Sequence, residues 1–241
     1  MSEQRPIRIA AAGDLHLGLE SAGLLGPELA GLEDRADLLV FAGDFTRHGD
    51  PAEAQVFASE LSEVGIPMVG VLGNHDYHSD QQDLVTKTLE QSGLVILEGD
   101  SIVVEVGDAS VGVAGTKGFG GGFRDACGSD FGEREMKAFV RHSKEFADRL
   151  EAHLSSLANI DHRVALVHYS PIPATLEGEK PEIFPFLGSY FLEDAIDRGG
   201  ADVAFHVHAH AGVETGRTRG GVPVYNVAHP VIRSTFKIVE I

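Results

Sequence analysis

Gly73-Asn74-His75-Asp76 packs a small residue, an amide, an imidazole and a carboxylate into four positions directly after an apolar run ending at Leu72. Gly-Asn is ordinary turn chemistry, and alone the stretch reads first as a turn. The form recurs, however. Other apolar runs lead into Asp14-Leu15-His16, Gly43-Asp44, His168 and His208-Ala209-His210. One carboxylate at such a place is often a cap, and one histidine is more often structural. Five apolar runs that end alike point instead to a shared rim, where parallel sheets bind ligands.

The donors at that rim are imidazole nitrogen and carboxylate or amide oxygen, without thiolate, a set suited to Mn, Fe or Zn. Asp14, His16, Asp44, Asn74, His168, His208 and His210 are too many for one four-coordinate ion. They suit two ions sharing a bridging carboxylate, the arrangement that clamps phosphoryl oxygens during in-line displacement. Residues i and i+2 of an extended segment share a face, so Asp14/His16 and His208/His210 can each reach a common centre. His206 shares that parity but lies deeper in its run, and reads as buried.

The elements that must position these groups are legible from hydrophobic patterning. Ile7–Ala12, Asp37–Phe41 and Pro67–Leu72 read as buried strands. A helix is expected over Pro51–Val64, and a second, capped by Asp80, ends near Gly93. This alternation is the signature of a parallel sheet. Leu94–Leu97, Ser101–Val106 and Ser110–Ala114 follow with tight polar connections suited to antiparallel hairpins. Gly115–Gly132 is a glycine-rich loop, and a long helix spans Glu133–Leu157 with Met136, Phe139, Val140, Phe146, Leu150, Leu154 and Leu157 on its inner face. Arg163–Val167 is a strand. Tyr169–Pro185, interrupted by Pro171, Pro173 and Pro181, is an irregular loop. Gly188–Arg198 reads as a helix and Ala201–Phe205 as a strand. The tail, with Val222–Val227 and Thr235–Ile241, reads as antiparallel sheet.

The 241 residues fit one domain spanning 1–241. Acidic residues outnumber basic ones 37 to 19, a net charge of −18. That balance argues against a duplex nucleic-acid partner, which needs basic surface, and against an anionic membrane. An anionic substrate would need a local positive centre, which a metal supplies. Cys127 is the single cysteine, so no intrachain disulfide forms. Met1–Pro6 is short and polar with no long apolar segment behind it; the expectation is a cytoplasmic protein without a signal peptide or membrane anchor.

With Asp14-Leu15-His16, Gly43-Asp44, Gly73-Asn74-His75-Asp76, His168 and His208-Ala209-His210 in this order, the chain resembles the calcineurin-like metallophosphoesterases. The resemblance spans residues 14 to 210. It implies a four-layer α/β/β/α sandwich of two mixed sheets, with a dimetal site at the C-terminal ends of strands. It implies that Asp14, His16 and His210 hold one ion and Asn74, His168 and His208 the other, with Asp44 bridging. It also implies that His75 is not a ligand but protonates the leaving oxygen or stabilises charge at phosphorus, with Asp76 orienting it. The implied activity is hydrolysis of a small phosphorylated substrate, a phosphomonoester or phosphodiester, by metal-activated water. One position departs from the pattern: Val207 stands where the family usually has glycine. A β-branched residue avoids positive φ, so either the turn begins later or this position never needs positive φ.

Two other classes remain alongside: a non-catalytic interaction scaffold on the same fold, and a metal-dependent nuclease. Gly128-Ser129-Asp130-Phe131-Gly132 is not a nucleophile elbow, and Gly118–Gly122 lacks the Lys-Ser/Thr of a phosphate-binding loop. The loop with Phe119, Phe123 and Arg124 either covers the substrate or lies on the surface, and Tyr169 faces the same choice. His78 is a candidate neighbour of the site. Substrate choice falls to loops 116–132 and 169–187.

Overall fold

The computed structural model describes residues 5–241. Its two principal sheets face each other, and helices cover both outer sides. The first sheet has the order β13-β1-β2-β3-β4, formed by β1 (Arg8–Ala12), β2 (Leu38–Phe41), β3 (Met68–Gly70), β4 (Leu94–Ile96) and β13 (Lys237–Glu240). The second has the order β11-β12-β10-β9-β6-β5. Its strands are β5 (Asp100–Val106), β6 (Ala109–Thr116), β9 (His162–Val167), β10 (Val203–His206), β11 (Thr215–Arg217) and β12 (Pro223–Asn226). Strands β7 (Gly122–Phe123) and β8 (Ala126–Cys127) form a small separate hairpin.

Alternation along the strands builds this sandwich, because successive side chains leave opposite faces. Ile9, Ala11, Leu38 and Val40 point inward and meet Val111, Val113, Val164, Leu166 and Phe205 of the other sheet. Their neighbours Ala10, Ala12, Leu39 and Phe41 point outward, against Phe57, Val85 and Leu89 of helices Pro51–Glu60 and Gln82–Glu90. On the far side, Ala165 and Val167 pack under Leu150, Leu154, Leu192 and Ile196 of helices Arg134–Ser156 and Tyr190–Gly199. Strands buried on both faces must be apolar throughout, which is why β1, β2 and β9 read as continuous runs rather than alternating ones. The four-layer α/β/β/α architecture is therefore as expected.

Local expectations need correction in several places. Helix Pro51–Glu60 starts on Asp50, whose side chain accepts from the Ala52 amide, and stops before Val64. The Leu61 amide tightens onto the Ala58 carbonyl, and turns follow. Asp80 does not cap the next helix; it sits at φ +55°, and Gln81 precedes the first turn without a side-chain cap. Met136 is 43% exposed rather than inward-facing. Short helical turns occupy Pro173–Leu176, Pro181–Ile183 and Phe184–Leu187 within the proline-rich loop. The tail is not one antiparallel sheet. Strand β12 pairs parallel to β10 and antiparallel to β11, whereas β13 crosses to the other sheet and runs antiparallel to β1.

Candidate metal centre

Strands β1, β2 and β3 run parallel in register, as do β9 and β10 in the facing sheet, so their C-terminal ends open on one rim. Asp14 and His16 follow β1, Asp44 follows β2, Asn74 and His75 follow β3, His168 follows β9, and His208 and His210 follow β10. The structure brings all of these residues together. The backbone reaches this arrangement by a device absent from simple strand periodicity. Asp14, His16, Asp44 and His208 all adopt positive φ, at 53°, 47°, 55° and 72°. Non-glycine residues rarely do so, and each such residue stores strain on the order of 1–3 kcal/mol that the surrounding fold must overdetermine. Asp14 and His16 thus converge through a left-handed turn and not through an extended i,i+2 pair. The same observation resolves Val207: it is buried and stays out of the positive-φ region, and the turn begins one residue later at His208.

Asp14, His16 and His210 each bring a ligand atom within 4.8 Å of the others, and Asp14, Asp44 and His168 form a second such group. Asp44 lies between the two halves, with Oδ2 3.7 Å from His16 Nε2 and Oδ1 3.8 Å from His168 Nε2. Asp14 Oδ2 accepts from the His208 amide at 2.8 Å and lies 3.0 Å from His210 Nε2.

The tautomers follow from the carbonyl partners, since a carbonyl only accepts. His168 donates Nδ1–H to the Ala42 carbonyl at 2.9 Å, and His208 donates Nε2–H to the Phe186 carbonyl at 3.3 Å. The remaining nitrogens therefore carry lone pairs. They stand 3.2 Å apart, with Asn74 Oδ1 2.9 Å from His168 Nε2. Three acceptors converging in this way repel one another unless a cation lies between them, and fixing the tautomer through the far nitrogen is how proteins prepare imidazole ligands. Asp14 Oδ1, His16 Nδ1 and Asp44 Oδ2 are likewise buried without a hydrogen-bond partner among the described residues. This donor set fits metal ions.

The electrostatics agree. Burial holds the His16 and His208 imidazoles down to about 4, and likewise holds His168 well below its ordinary value. All three are therefore neutral at pH 7, the form that binds metal. Burial, then the charges of Asp76 and Asp14, push the Asp44 carboxyl well up, a penalty a cation would offset. Burial also works to raise Asp14, but the His210 hydrogen bond and the neighbouring imidazoles bring it down to about 2. That same hydrogen bond raises His210.

Asp76 does not orient His75. Its fully buried carboxylate instead accepts five hydrogen bonds, from the amides of Asp44, Phe45, Thr46 and Gly73 and from the Thr46 hydroxyl. His75 is held by the Arg47 carbonyl, which accepts from Nδ1 at 2.8 Å, and its ring lies 4.3 Å from that of His16. Asp76 is thus the rivet between the β2 and β3 loops. Two glycines make the approach possible. A Cβ on Gly73 would stand 2.0 Å from Asp44 Oδ1, and one on Gly43, at φ +98°, would stand 2.7 Å from the Gly73 nitrogen.

Of the remaining candidates, His206 is fully buried as expected, bonded at 2.8 Å to both the Val207 carbonyl and Thr175 Oγ1. His78 packs near His48, with ring centroids 6.1 Å apart, rather than against the centre. Phe123 is buried with Leu176 and Leu187, and Arg124 pairs with Asp194. Tyr169 does face the site, its ring 4.5 Å from that of His208. Sequence reasoning missed Lys117. The available signal was its place directly after β6, which runs parallel to β9 with Thr116 opposite Val167.

A two-sheet α/β sandwich carrying overlapping His/Asp clusters at its strand ends defines a metal-dependent hydrolase scaffold. A family profile described as calcineurin-like phosphoesterase matches residues 7–212, and the chain belongs to that family. No curated protein sequence matches it. Among solved structures it is similar to a phosphopantetheinyl hydrolase from Mycobacterium tuberculosis, with 15% identity, 98% of this chain and 96% of that chain covered, and a TM-score of 0.67. A putative 5'-nucleotidase from Staphylococcus aureus matches at 14% identity, covering 98% of this chain and 53% of that one, with a TM-score of 0.60. The protein TT1561 of Thermus thermophilus matches at 16% identity over 92% and 88% of the two chains, with a TM-score of 0.56. At these identities the likeness is one of fold. No helix among the described residues is long and apolar enough to cross a membrane.

Proposed function

We propose that the chain hydrolyses a phosphoester at a dinuclear metal centre. The observation that carries this reading is the position of Asp44 between two convergent sets of imidazole and carboxylate donors. Asp14, His16 and His210 would hold one ion and Asn74, His168 and His208 the other, with Asp44 shared. Bound there, Mn, Fe or Zn supplies Lewis-acid polarisation of phosphoryl oxygen and makes water acidic enough to act as a nucleophile near neutral pH. His75 lies at the edge of the cluster, with a ring nitrogen within 4.8 Å of ligand atoms of His16 and Asp44. Its Nδ1–H is committed to the Arg47 carbonyl, so Nε2 is the nitrogen free to face the leaving oxygen, and the doubly protonated ring gives up its Nε2 proton there and returns to the neutral Nδ1–H form. General-acid help of this kind contributes roughly 10²–10⁴-fold. Retention of every donor and of His75 favours catalysis over a silent scaffold.

The deciding experiment assays a panel of phosphomonoesters and phosphodiesters with Mn²⁺ and with chelator. Metal-dependent turnover of one class is expected. Bound metal without hydrolysis of any panel member would overturn the reading in favour of a scaffold.

A further inference from the structure

A cavity of about 800 Å³ reaches the rim at Asn74, the one rim donor that lines it, and its walls include Tyr77, Phe119, Lys117, Arg149 and Tyr169. Lys117 sits at a strand end adjoining His168: its carbonyl accepts from the His168 and Tyr169 amides, each at 3.1 Å. The residue is only 6% exposed. Nζ lies over four aromatic rings, those of Tyr77, Phe119, Phe146 and Tyr169, at 4.9, 5.1, 5.1 and 5.4 Å. Its one hydrogen bond among the described residues is a long contact of 3.4 Å to the Gly118 carbonyl, and no carboxylate oxygen lies within 4.0 Å. Glu98 and Asp83 also line the cavity; Glu98 Oε2 accepts from the Tyr77 hydroxyl at 2.9 Å, while its buried Oε1 has no hydrogen-bond partner among the described residues. Arg149 reaches the same cavity from helix Arg134–Ser156 and likewise forms no ion pair among the described residues.

A buried ammonium needs a partner for its donors, and ring faces stabilise its charge without satisfying its N–H groups. In a chain of net charge −18, two cations turn to one cavity without an ion-pair contact among the described residues, the charges of Glu98 and Asp44 acting on Lys117 only from a distance. The reacting phosphate belongs to the metal rim, which Asn74 shares with the cavity, so the cavity is available to the group esterified to it.

We propose that this cavity is the leaving-group subsite, and that Lys117 with Arg149 binds a second anionic group, a carboxylate or a further phosphate, carried by the organic part of the substrate. The rings of Phe119 and Tyr169 receive that part's flat or apolar body. The assignment rests on the phosphoester reading above and narrows it to organic esters bearing an additional anion.

The test compares phenyl phosphate with 4-carboxyphenyl phosphate and 1,4-phenylene bisphosphate, or their methyl diesters, in the Mn²⁺-loaded protein. The wild type is expected to prefer at least one probe bearing the second anionic group by about tenfold in kcat/KM, the size of one charge-assisted hydrogen bond. Which probe is preferred separates carboxylate from phosphate. Lys117→Met, which keeps the stem, abolishes the preference, and Arg149→Met, at an exposed position, reduces it even if the lysine variant fails to fold. No preference in the wild type, or an equal loss on both kinds of probe in Lys117→Met, overturns the subsite while the phosphoester reading stands. If no probe is hydrolysed, calorimetric titration decides separately. Tighter, Arg149-dependent binding of a probe bearing the second anionic group keeps the subsite and removes hydrolysis; equal or absent binding removes the subsite.

Discussion

The Asp76 carboxylate lies 3.0 Å from the Asp44 amide, behind Asp44 rather than beside the His75 ring. Burial raises Asp76, and its ring of amide and hydroxyl donors opposes that rise. One side chain thereby fixes the left-handed turn that presents Asp44 and the bend that presents Asn74.

Asp76→Asn should consequently act on the fold as much as on the site. An amide retains one acceptor oxygen and turns an N–H group toward backbone donors, leaving several of them unsatisfied. The expected cost is about 2–4 kcal/mol, read by denaturant unfolding, together with weaker metal binding. Unchanged stability would mean the loops hold their shape without the rivet.

His75→Gln should separate chemistry from metal binding. Elemental analysis is expected to show full metal, while turnover on an ester with a poor leaving group falls roughly 10²–10⁴-fold. A metal-replete variant with wild-type turnover on that substrate would remove His75 from proton transfer.

Asp44→Asn and Gly73→Ala approach the bridging position from opposite sides. The first removes the shared charge. The second places a Cβ where Asp44 Oδ1 lies, 2.0 Å away, and must displace the carboxylate. Both variants are expected to bind fewer than two metal equivalents. Stoichiometric dinuclear loading of either, measured by titration calorimetry, would show that Asp44 is not shared.

The buried histidines make stability depend on pH in a definite direction. Burial holds His206 down to about 4 against an ordinary value of 6.5. Between those values the unfolded chain takes up a proton that the folded chain refuses, so this contribution is present above about pH 6.5 and is lost as pH falls toward about 4. Asp44, raised by burial, works in the opposite sense. Melting temperatures of metal-free protein across this window should therefore fall more steeply with acidification in the wild type than in His206→Gln. Parallel curves would show that His206 protonates freely in the fold.

Patterning determined most of the strands and helices, donor types determined the identity of the rim, and the resemblance of the ordered motifs implied the four-layer sandwich. Apolar strands buried on both faces leave a clear trace, and Asp, Asn and His at their ends are chemically distinctive whatever their conformation. What tertiary structure decided lies in backbone geometry and long-range hydrogen bonding. Nothing local marks Asp14, His16, Asp44 and His208 for positive φ; packing imposes it. Asp76 adjoins His75 in the chain yet spends its carboxylate on residues 44 to 46, because those amides would otherwise be buried without acceptors. The tail divides between two sheets because β13 finds the open edge of β1 across the sandwich. Lys117 acquires its aromatic cage only once β6, β9 and the long helix are assembled. The opening stretch, Gly73-Asn74-His75-Asp76, shows the division most plainly. Its composition named the site, and only the fold assigned Gly73 to clearance, Asn74 to the donor cluster, His75 to the Arg47 carbonyl and Asp76 to the loop behind it.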